Sequence, residues 1–130
     1  MIGPKGARKA ITGGRGERAA AWHAWLRGAR ILARNASFRC GELDLVLWDR
    51  GTLAFGEVKA RAAGEEAALA AVGWTKQRRL LRAARAWLRE ARIDPLSVPC
   101  RFDVFLVAPG WLGWPRVTWL RNAFEADLIG

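Results

Sequence analysis

The middle of the chain contains two apolar runs that are separated by only two residues. The first run covers residues 42–49 and the second covers residues 52–61, with Arg50-Gly51 between them. Two such runs joined by two residues, the second of them Gly, are typical of a β-hairpin. Further strands are predicted at residues 29–38, 101–108 and 116–120.

Apolar residues at helical spacing predict two main helices. The first covers residues 17–27 and ends at Gly28, where a left-handed cap is common. The second begins after an N-cap at Thr75 and ends near Ile93. A short helix over residues 67–72 and a closing turn or helix over 122–128 are also predicted. Opposite its apolar side, the second helix has an arginine stripe that we expect to be exposed and to bind phosphates: Arg78, Arg82, Arg85, Arg89 and Arg92.

The order of these elements predicts the fold class. A helix, a meander of strands, a second helix and two last strands indicate a layered α/β domain with a mixed sheet. A chain of 130 residues has room for one such core. Glycine and basic residues dominate residues 1–14, which we predict to be a flexible basic arm in front of a single domain over residues 15–130.

The charge balance narrows the class of partner. The chain has 22 Lys and Arg residues against 12 Asp and Glu residues, a formal net charge of +10. Such a balance favours a polyanion, with nucleic acid first and an anionic membrane surface second. The apolar runs are too short to span a membrane, and no apolar segment of a secretory signal follows the basic N-terminus. We therefore expect a cytoplasmic protein.

The hairpin places polar residues opposite one another. If the two residues between the runs form the turn, counting away from the turn fixes every cross-strand pair. Asp44 then lies opposite Glu57, and Glu42 lies opposite Lys59. Because side chains alternate along a strand, all four project from one side of the hairpin.

Two opposed carboxylates within apolar strands are destabilising unless something compensates their charge. Mg²⁺ or Mn²⁺ would do so, because carboxylate oxygens are the ligands that these cations prefer. Asp44 and Glu57 are therefore candidate metal ligands, and Lys59 would orient a water molecule and stabilise negative charge on a phosphate. The alternative is a solvated hairpin face on which Glu42 and Lys59 form an ordinary ion pair.

Short motifs accompany this pair along residues 14–127. They are Gly16-Glu17, Ile31-Leu32-Ala33-Arg34-Asn35, Gly41-Glu42-Leu43-Asp44-Leu45, Glu57-Val58-Lys59, Lys76-Gln77, Arg101-Phe102-Asp103-Val104 and Asn122-Ala123-Phe124. The Asp followed by Glu-x-Lys on the next strand resembles the PD-(D/E)xK nuclease superfamily. Together the motifs are similar to the YraN-like (UPF0102-type) bacterial family of unknown function, which itself resembles archaeal Holliday-junction resolvases.

The resemblance implies a restriction-endonuclease-like domain of three layers, with a mixed central sheet flanked by helices. Carried over by position, it implies Asp44 and Glu57 as metal ligands and Lys59 as the water-orienting base or electrostatic stabiliser. It also implies Glu17 as an accessory acid from the first helix and Gln77 as a polar residue of the site. Alternatively, Gln77 is only a favourable residue for the first turn of a helix.

The activity that the resemblance implies is that of a Mg²⁺- or Mn²⁺-dependent endonuclease acting on DNA. Branched or flapped DNA would be its substrate by likeness to the resolvases, and the protein would be a monomer or a homodimer. The alternative is a nucleic-acid-binding protein that retains the nuclease fold and cuts nothing. One departure from the family pattern is Gly56, which stands where a bulky apolar residue commonly precedes the Glu.

The sequence also yields predictions for an acidic residue and for several tryptophans. We expect Asp103, at the start of a strand, to act as a cap or to pair with an arginine, and not to bind metal. Trp22 and Trp25 lie at helical spacing and are predicted to pack in the core. Trp111 and Trp114 lie in a Gly/Pro turn, where we expect packing, with stacking on unpaired bases as the alternative.

Overall fold

A computed structural model describes residues 3–60 and 72–129, with the backbone alone for residues 3–13. Five strands form one sheet in the order β1-β2-β3-β4-β5. Strands β3 and β4 are parallel and every other neighbouring pair is antiparallel. The elements are α1 (Gly3–Leu26), β1 (Arg30–Phe38), β2 (Gly41–Asp49), β3 (Thr52–Ala60), α2 (Trp74–Ala91), β4 (Cys100–Ala108) and β5 (Arg116–Phe124).

The β2–β3 hairpin has the predicted register. Arg50 and Gly51 both have positive φ angles, +52° and +86°, as a two-residue type I′ turn requires. The cross-strand pairs run from Asp49 opposite Thr52 to Leu45 opposite Gly56. The next residue along β2 is Asp44, and the next along β3 is Glu57.

Apolar residues fill both faces of the sheet. Ala54 on β3 belongs to the core between the sheet and α1, and its neighbour Phe55 belongs to the core between the sheet and α2. Helix α1 contributes Ala20, Ala21 and Ala24 to its side. Helix α2 contributes Leu80, Ala83, Ala84 and Leu88 to the core on the other face of the sheet. The three layers confirm the predicted α/β fold class, and they are compatible with a restriction-endonuclease-like domain.

Several element bounds differ from the predictions. Helix α1 begins at Gly3 and not at Glu17, although its early residues include several glycines, which disfavour a helix interior. Helix α2 ends at Ala91, so Arg92 lies outside it as a cap with a φ of +58°. The predicted helix over residues 67–72 lies outside the described residues apart from its last position. The division into an arm and a domain stays a prediction.

Strand β5 is longer than predicted. It continues to Phe124, although a turn or short helix was predicted over residues 122–128. The reason is pairing, because Phe124 lies opposite Phe102 on β4 and their rings stack with centroids 5.0 Å apart. Within residues 3–60 and 72–129, neither helix combines the length and the apolar character that a membrane span needs.

Several tryptophans are more exposed than predicted. Trp22 and Trp25 are 61% and 57% exposed, so the prediction that they pack in the core is wrong. The alanines of α1 occupy that place because they allow the helix to approach the sheet closely. Trp111 and Trp114 are 82% and 77% exposed, and packing does not explain them.

A buried ionic network lies where β2 ends and β4 begins. Asp103 is fully buried and accepts hydrogen bonds from Arg101 Nε and Trp119 Nε1, each at 2.9 Å. The backbone N–H of Asn122 donates to it at 2.9 Å, and Arg101 Nη2 also donates to Asp49 at 2.6 Å. Asp103 thus pairs with an arginine as expected.

Candidate active site

Asp44 and Glu57 form a buried carboxyl pair. They are 7% and 6% exposed, and they lie directly beyond the paired positions Leu45 and Gly56. Asp44 Oδ2 accepts a hydrogen bond from the backbone N–H of Val58 at 2.8 Å. Beyond the effect of burial, the Asp44 carboxyl lies close enough for its charge to raise the pKa of Glu57. Because two buried carboxylates repel each other, this arrangement favours a proton or a cation between them.

The electrostatics of Glu57 follow from this arrangement. Burial, and after it the charge of Asp44, raise the pKa of Glu57 from 4.5 to about 7. The Lys76 ammonium opposes this shift through its charge and a hydrogen bond. Near neutral pH, Glu57 is therefore partly protonated, and it would release this proton on binding a cation.

Two lysines approach Glu57 from different elements. Lys76 Nζ in the first turn of α2 lies 3.0 Å from Glu57 Oε2, and Lys59 Nζ on β3 lies 3.7 Å from the same oxygen. Lys59 is thus beside Glu57, as its position two residues along the strand indicated. Sequence reasoning missed Lys76, although the Lys76-Gln77 motif was a signal, because its reach depends on how α2 docks.

The start of β2 lies very close to α2. A Cβ atom at Gly41 would come within 3.0 Å of the Arg79 carbonyl oxygen, so glycine permits this approach. A pocket of about 190 Å³ lies between the two elements. Its lining combines acidic and basic groups. The acidic groups are the carboxyls of Asp44, Glu57 and Glu42, and the basic groups are the side chains of Lys76 and Arg79. Such a pocket can hold a cation and an anionic oxygen together.

The donor set fits a hard divalent cation. Across the described ranges, no group of three or more His, Cys, Asp or Glu residues is arranged to hold a metal. Mg²⁺ does not need such a cage, because proteins commonly hold it through one or two carboxylates with waters and phosphate oxygens completing the shell. Asp44 and Glu57 supply those two carboxylates.

Comparison with known proteins gives the family. A model of the uncharacterised protein family UPF0102 matches residues 16–107, which include Asp44 and Glu57 and the two lysines, Lys59 and Lys76, that lie beside Glu57. The chain belongs to family UPF0102. Because the family is uncharacterised, membership shows homology to its other proteins and does not assign an activity.

Relatives match over nearly the whole chain. A UPF0102 protein of Symbiobacterium thermophilum is 46% identical over 117 residues, which cover 85% of this chain and 93% of the relative. One from Alkalilimnicola ehrlichii is 42% identical, covering 88% and 87%. One from Methylococcus capsulatus is 39% identical, covering 94% and 97%. The UPF0102 domain therefore accounts for most of the chain.

Three predicted site residues, Glu17, Lys59 and Gln77, do not line the pocket between β2 and α2. The Gln77 side chain donates to the Val72 carbonyl at 2.9 Å, and its backbone N–H donates to Gly73. Gln77 thus stabilises the segment that immediately precedes α2. Glu17 is 4% exposed on α1, and the adjacent Gly16 faces Val58 on the α1 side of β3. Their catalytic roles stay predictions.

The arginine stripe is largely exposed, as predicted. Arg85 is the part-buried member, because its Nη2 donates to the Asp127 carbonyl at 2.6 Å. The Arg78 guanidinium lies over the Trp74 ring, 4.6 Å from its centroid. Phosphate binding by the stripe stays a prediction.

Proposed function

We propose that the protein is a Mg²⁺- or Mn²⁺-dependent endonuclease that hydrolyses phosphodiester bonds in DNA. The buried Asp44–Glu57 pair with Lys76 at 3.0 Å carries the proposal, because it joins oxygen ligands for a cation to a positive charge for a phosphate. The cation would be held by Asp44 and Glu57. When bound, it supplies Lewis-acid activation of the phosphoryl group.

The remaining residues have separate roles in this reaction. The Val58 N–H fixes the orientation of Asp44 through its 2.8 Å hydrogen bond. Lys59 orients the attacking water, and Lys76 stabilises the negative charge that grows on the phosphoryl oxygens. Arg79, which also lines the pocket, would contact a neighbouring phosphate of the same strand.

The proposal also names the substrate, the cellular location and the oligomeric state of the protein. The net charge of +10 and the arginine stripe favour binding to the DNA backbone, with branched or flapped DNA as the preferred shape. The protein acts in the cytoplasm as a monomer or a homodimer. A dimer would present two pockets to a symmetric junction.

The test is cleavage of labelled duplex, single-stranded, flapped and four-way-junction DNA with Mg²⁺, Mn²⁺ or EDTA. We expect cleavage that requires a cation and falls at least about a hundredfold in Asp44→Asn and Lys59→Ala. Glu90→Gln is the matched control, because Glu90 is exposed on α2 far along the helix from Lys76. All variants are compared at protein concentrations that give equal DNA binding.

Two outcomes would contradict the proposal. Cleavage that persists equally in Asp44→Asn would indicate a different site or a contaminant. Tight binding without cleavage of any substrate, unchanged by Asp44→Asn, would favour the non-catalytic nucleic-acid-binding protein.

A further inference from the structure

A groove runs between helix α1 and the loop that joins β4 to β5. It has a volume of about 790 Å³, which is in the range of sites for organic ligands. Trp22 and Leu26 line it from α1, and Leu112 and Trp114 line it from the loop. The groove lies on the α1 side of the sheet, whereas the carboxylate pocket lies on the α2 side.

A second recess continues this groove across α1. It has a volume of about 320 Å³, shares Arg18 and Trp22 with the groove, and adds Trp25 and Arg34. Arg15 also lines the groove. We call the combined area the Trp–Arg surface, which consists of Arg15, Arg18, Trp22, Trp25, Arg34 and Trp114.

The chemistry of this surface indicates its ligand. Its three tryptophans are between 57% and 77% exposed, and Trp22 meets Trp25 edge to face with centroids 5.5 Å apart. Exposed indole rings provide stacking platforms for nucleobases, and neighbouring arginines attract the phosphates that link them. Adjacent aromatic and cationic groups are therefore the combination that unpaired nucleotides need.

The charge around the Trp–Arg surface favours nucleic acid over a protein partner. Among the described residues, no Asp or Glu lines either recess. A surface without any compensating negative charge suits a polyanion.

We propose that the Trp–Arg surface binds the unpaired nucleotides of a nucleic acid strand, by stacking bases on Trp22 and Trp114 and by pairing phosphates with Arg15 and Arg18. This inference shares the class of partner with the proposed nuclease function. It requires neither a cation nor cleavage, so an experiment can contradict it without contradicting the proposed nuclease function.

The test is fluorescence polarisation with a labelled single-stranded oligothymidylate in EDTA, where no cation-dependent cleavage occurs. We expect Trp114→Ala and Trp22→Ala each to weaken binding by about tenfold, and Trp114→Phe to retain most of the affinity. Trp111→Ala is the matched control, because Trp111 is 82% exposed in the same loop but does not line the groove. It should change affinity by less than about twofold.

An abasic oligonucleotide of the same length separates stacking from charge. We expect the abasic strand to bind the wild type and Trp114→Ala equally, because it has phosphates but no bases. Equal losses for Trp111→Ala and Trp114→Ala, or a Trp114→Ala variant that binds oligothymidylate like the wild type, would overturn the proposal. A wild-type dimer that Trp22→Ala dissociates, with oligonucleotide affinity unchanged, would assign the surface to a second copy of the chain.

Discussion

Lys76 Nζ lies 3.0 Å from Glu57 Oε2, and this ion pair joins the start of helix α2 to strand β3. Glu57 is buried beside Asp44, so the pair supplies a positive charge where two carboxyls would otherwise repel each other. Without a bound cation, Lys76 is therefore a principal compensating charge for Glu57. The same contact places α2 over the pocket.

Replacing Lys76 tests this compensation. We expect Lys76→Met to lower the free energy of unfolding by about 1–2 kcal/mol at pH 8, between the values typical of exposed and buried pairs. At pH 5 the loss should be much smaller, because Glu57, whose pKa is about 7, is then protonated. Urea denaturation in EDTA measures both values, with Lys76→Arg as the charge-retaining control. An equal loss at both pH values would assign the effect to packing of the lysine stem.

The raised pKa of Glu57 makes the stability of the metal-free protein depend on pH. Because the folded protein holds this proton more tightly than the unfolded chain, stability is highest below pH 4.5 for this group and falls as the pH rises to about 7. The full shift corresponds to roughly 3 kcal/mol. Glu57→Gln should remove this dependence and raise the melting temperature at pH 8, since the amide can donate to Asp44.

Glu90→Gln is the control for Glu57→Gln, because Glu90 is exposed and should leave the pH dependence unchanged. Thermal melts at several pH values between 4.5 and 8, all in EDTA, provide the comparison. If Glu57→Gln and the wild type lose stability in parallel across this range, another group is responsible.

The sequence predicted the carboxyl pair because hairpin geometry is local. Once Arg50 and Gly51 adopt positive φ angles, the turn fixes the register, and it brings Asp44 and Glu57 side by side without reference to the rest of the fold. Lys76 could not be placed in this way. It reaches Glu57 only because α2 docks against the start of β2, and the close approach of Gly41 to the backbone of Arg79 becomes evident only in three dimensions.

The wrong prediction for Trp22 and Trp25 has a different cause. Both the alanine side and the tryptophan side of α1 are apolar, so periodicity alone cannot decide which side meets the sheet. The sheet already presents the large rings of Phe105 and Trp119 there, and these leave room for alanine. Packing volume, and not the apolar pattern, determined which residues of α1 are buried.

Asp103 provides a structural contrast to the carboxyl pair. Its hydrogen bonds from Arg101, Trp119 and Asn122 satisfy a fully buried carboxylate. Asp103→Asn leaves Arg101 with a weaker partner in the interior, and we expect a loss of about 3 kcal/mol in urea denaturation. Glu125→Gln, at an exposed position, should change stability by less than about 0.5 kcal/mol. If Asp103→Asn loses as little stability as Glu125→Gln, the network contributes little to the free energy of unfolding.

The structure supplies a reason for glycine at position 56. A Cβ atom there would lie 3.0 Å from the Phe105 ring, which is fully buried and stacks on Trp119 with centroids 5.1 Å apart. Because that ring has little freedom to move, Gly56→Ala should cost about 1–2 kcal/mol. Gly16→Ala is the contrasting control, since its Cβ would meet Val58 at an ordinary 3.7 Å.

The two glycines should therefore respond in opposite directions. Gly16→Ala should stabilise the protein by about 0.5–1 kcal/mol, because alanine favours a helix interior over glycine. If Phe105 causes the cost at Gly56, combining Gly56→Ala with Phe105→Leu should lose less stability than the sum of the two single variants, because the smaller side chain makes room for the new methyl group. Additive losses would mean that Phe105 is not the obstacle. Chemical denaturation of the four variants and the wild type decides between these results, and it shows whether strand β3 can accept a larger residue immediately before Glu57.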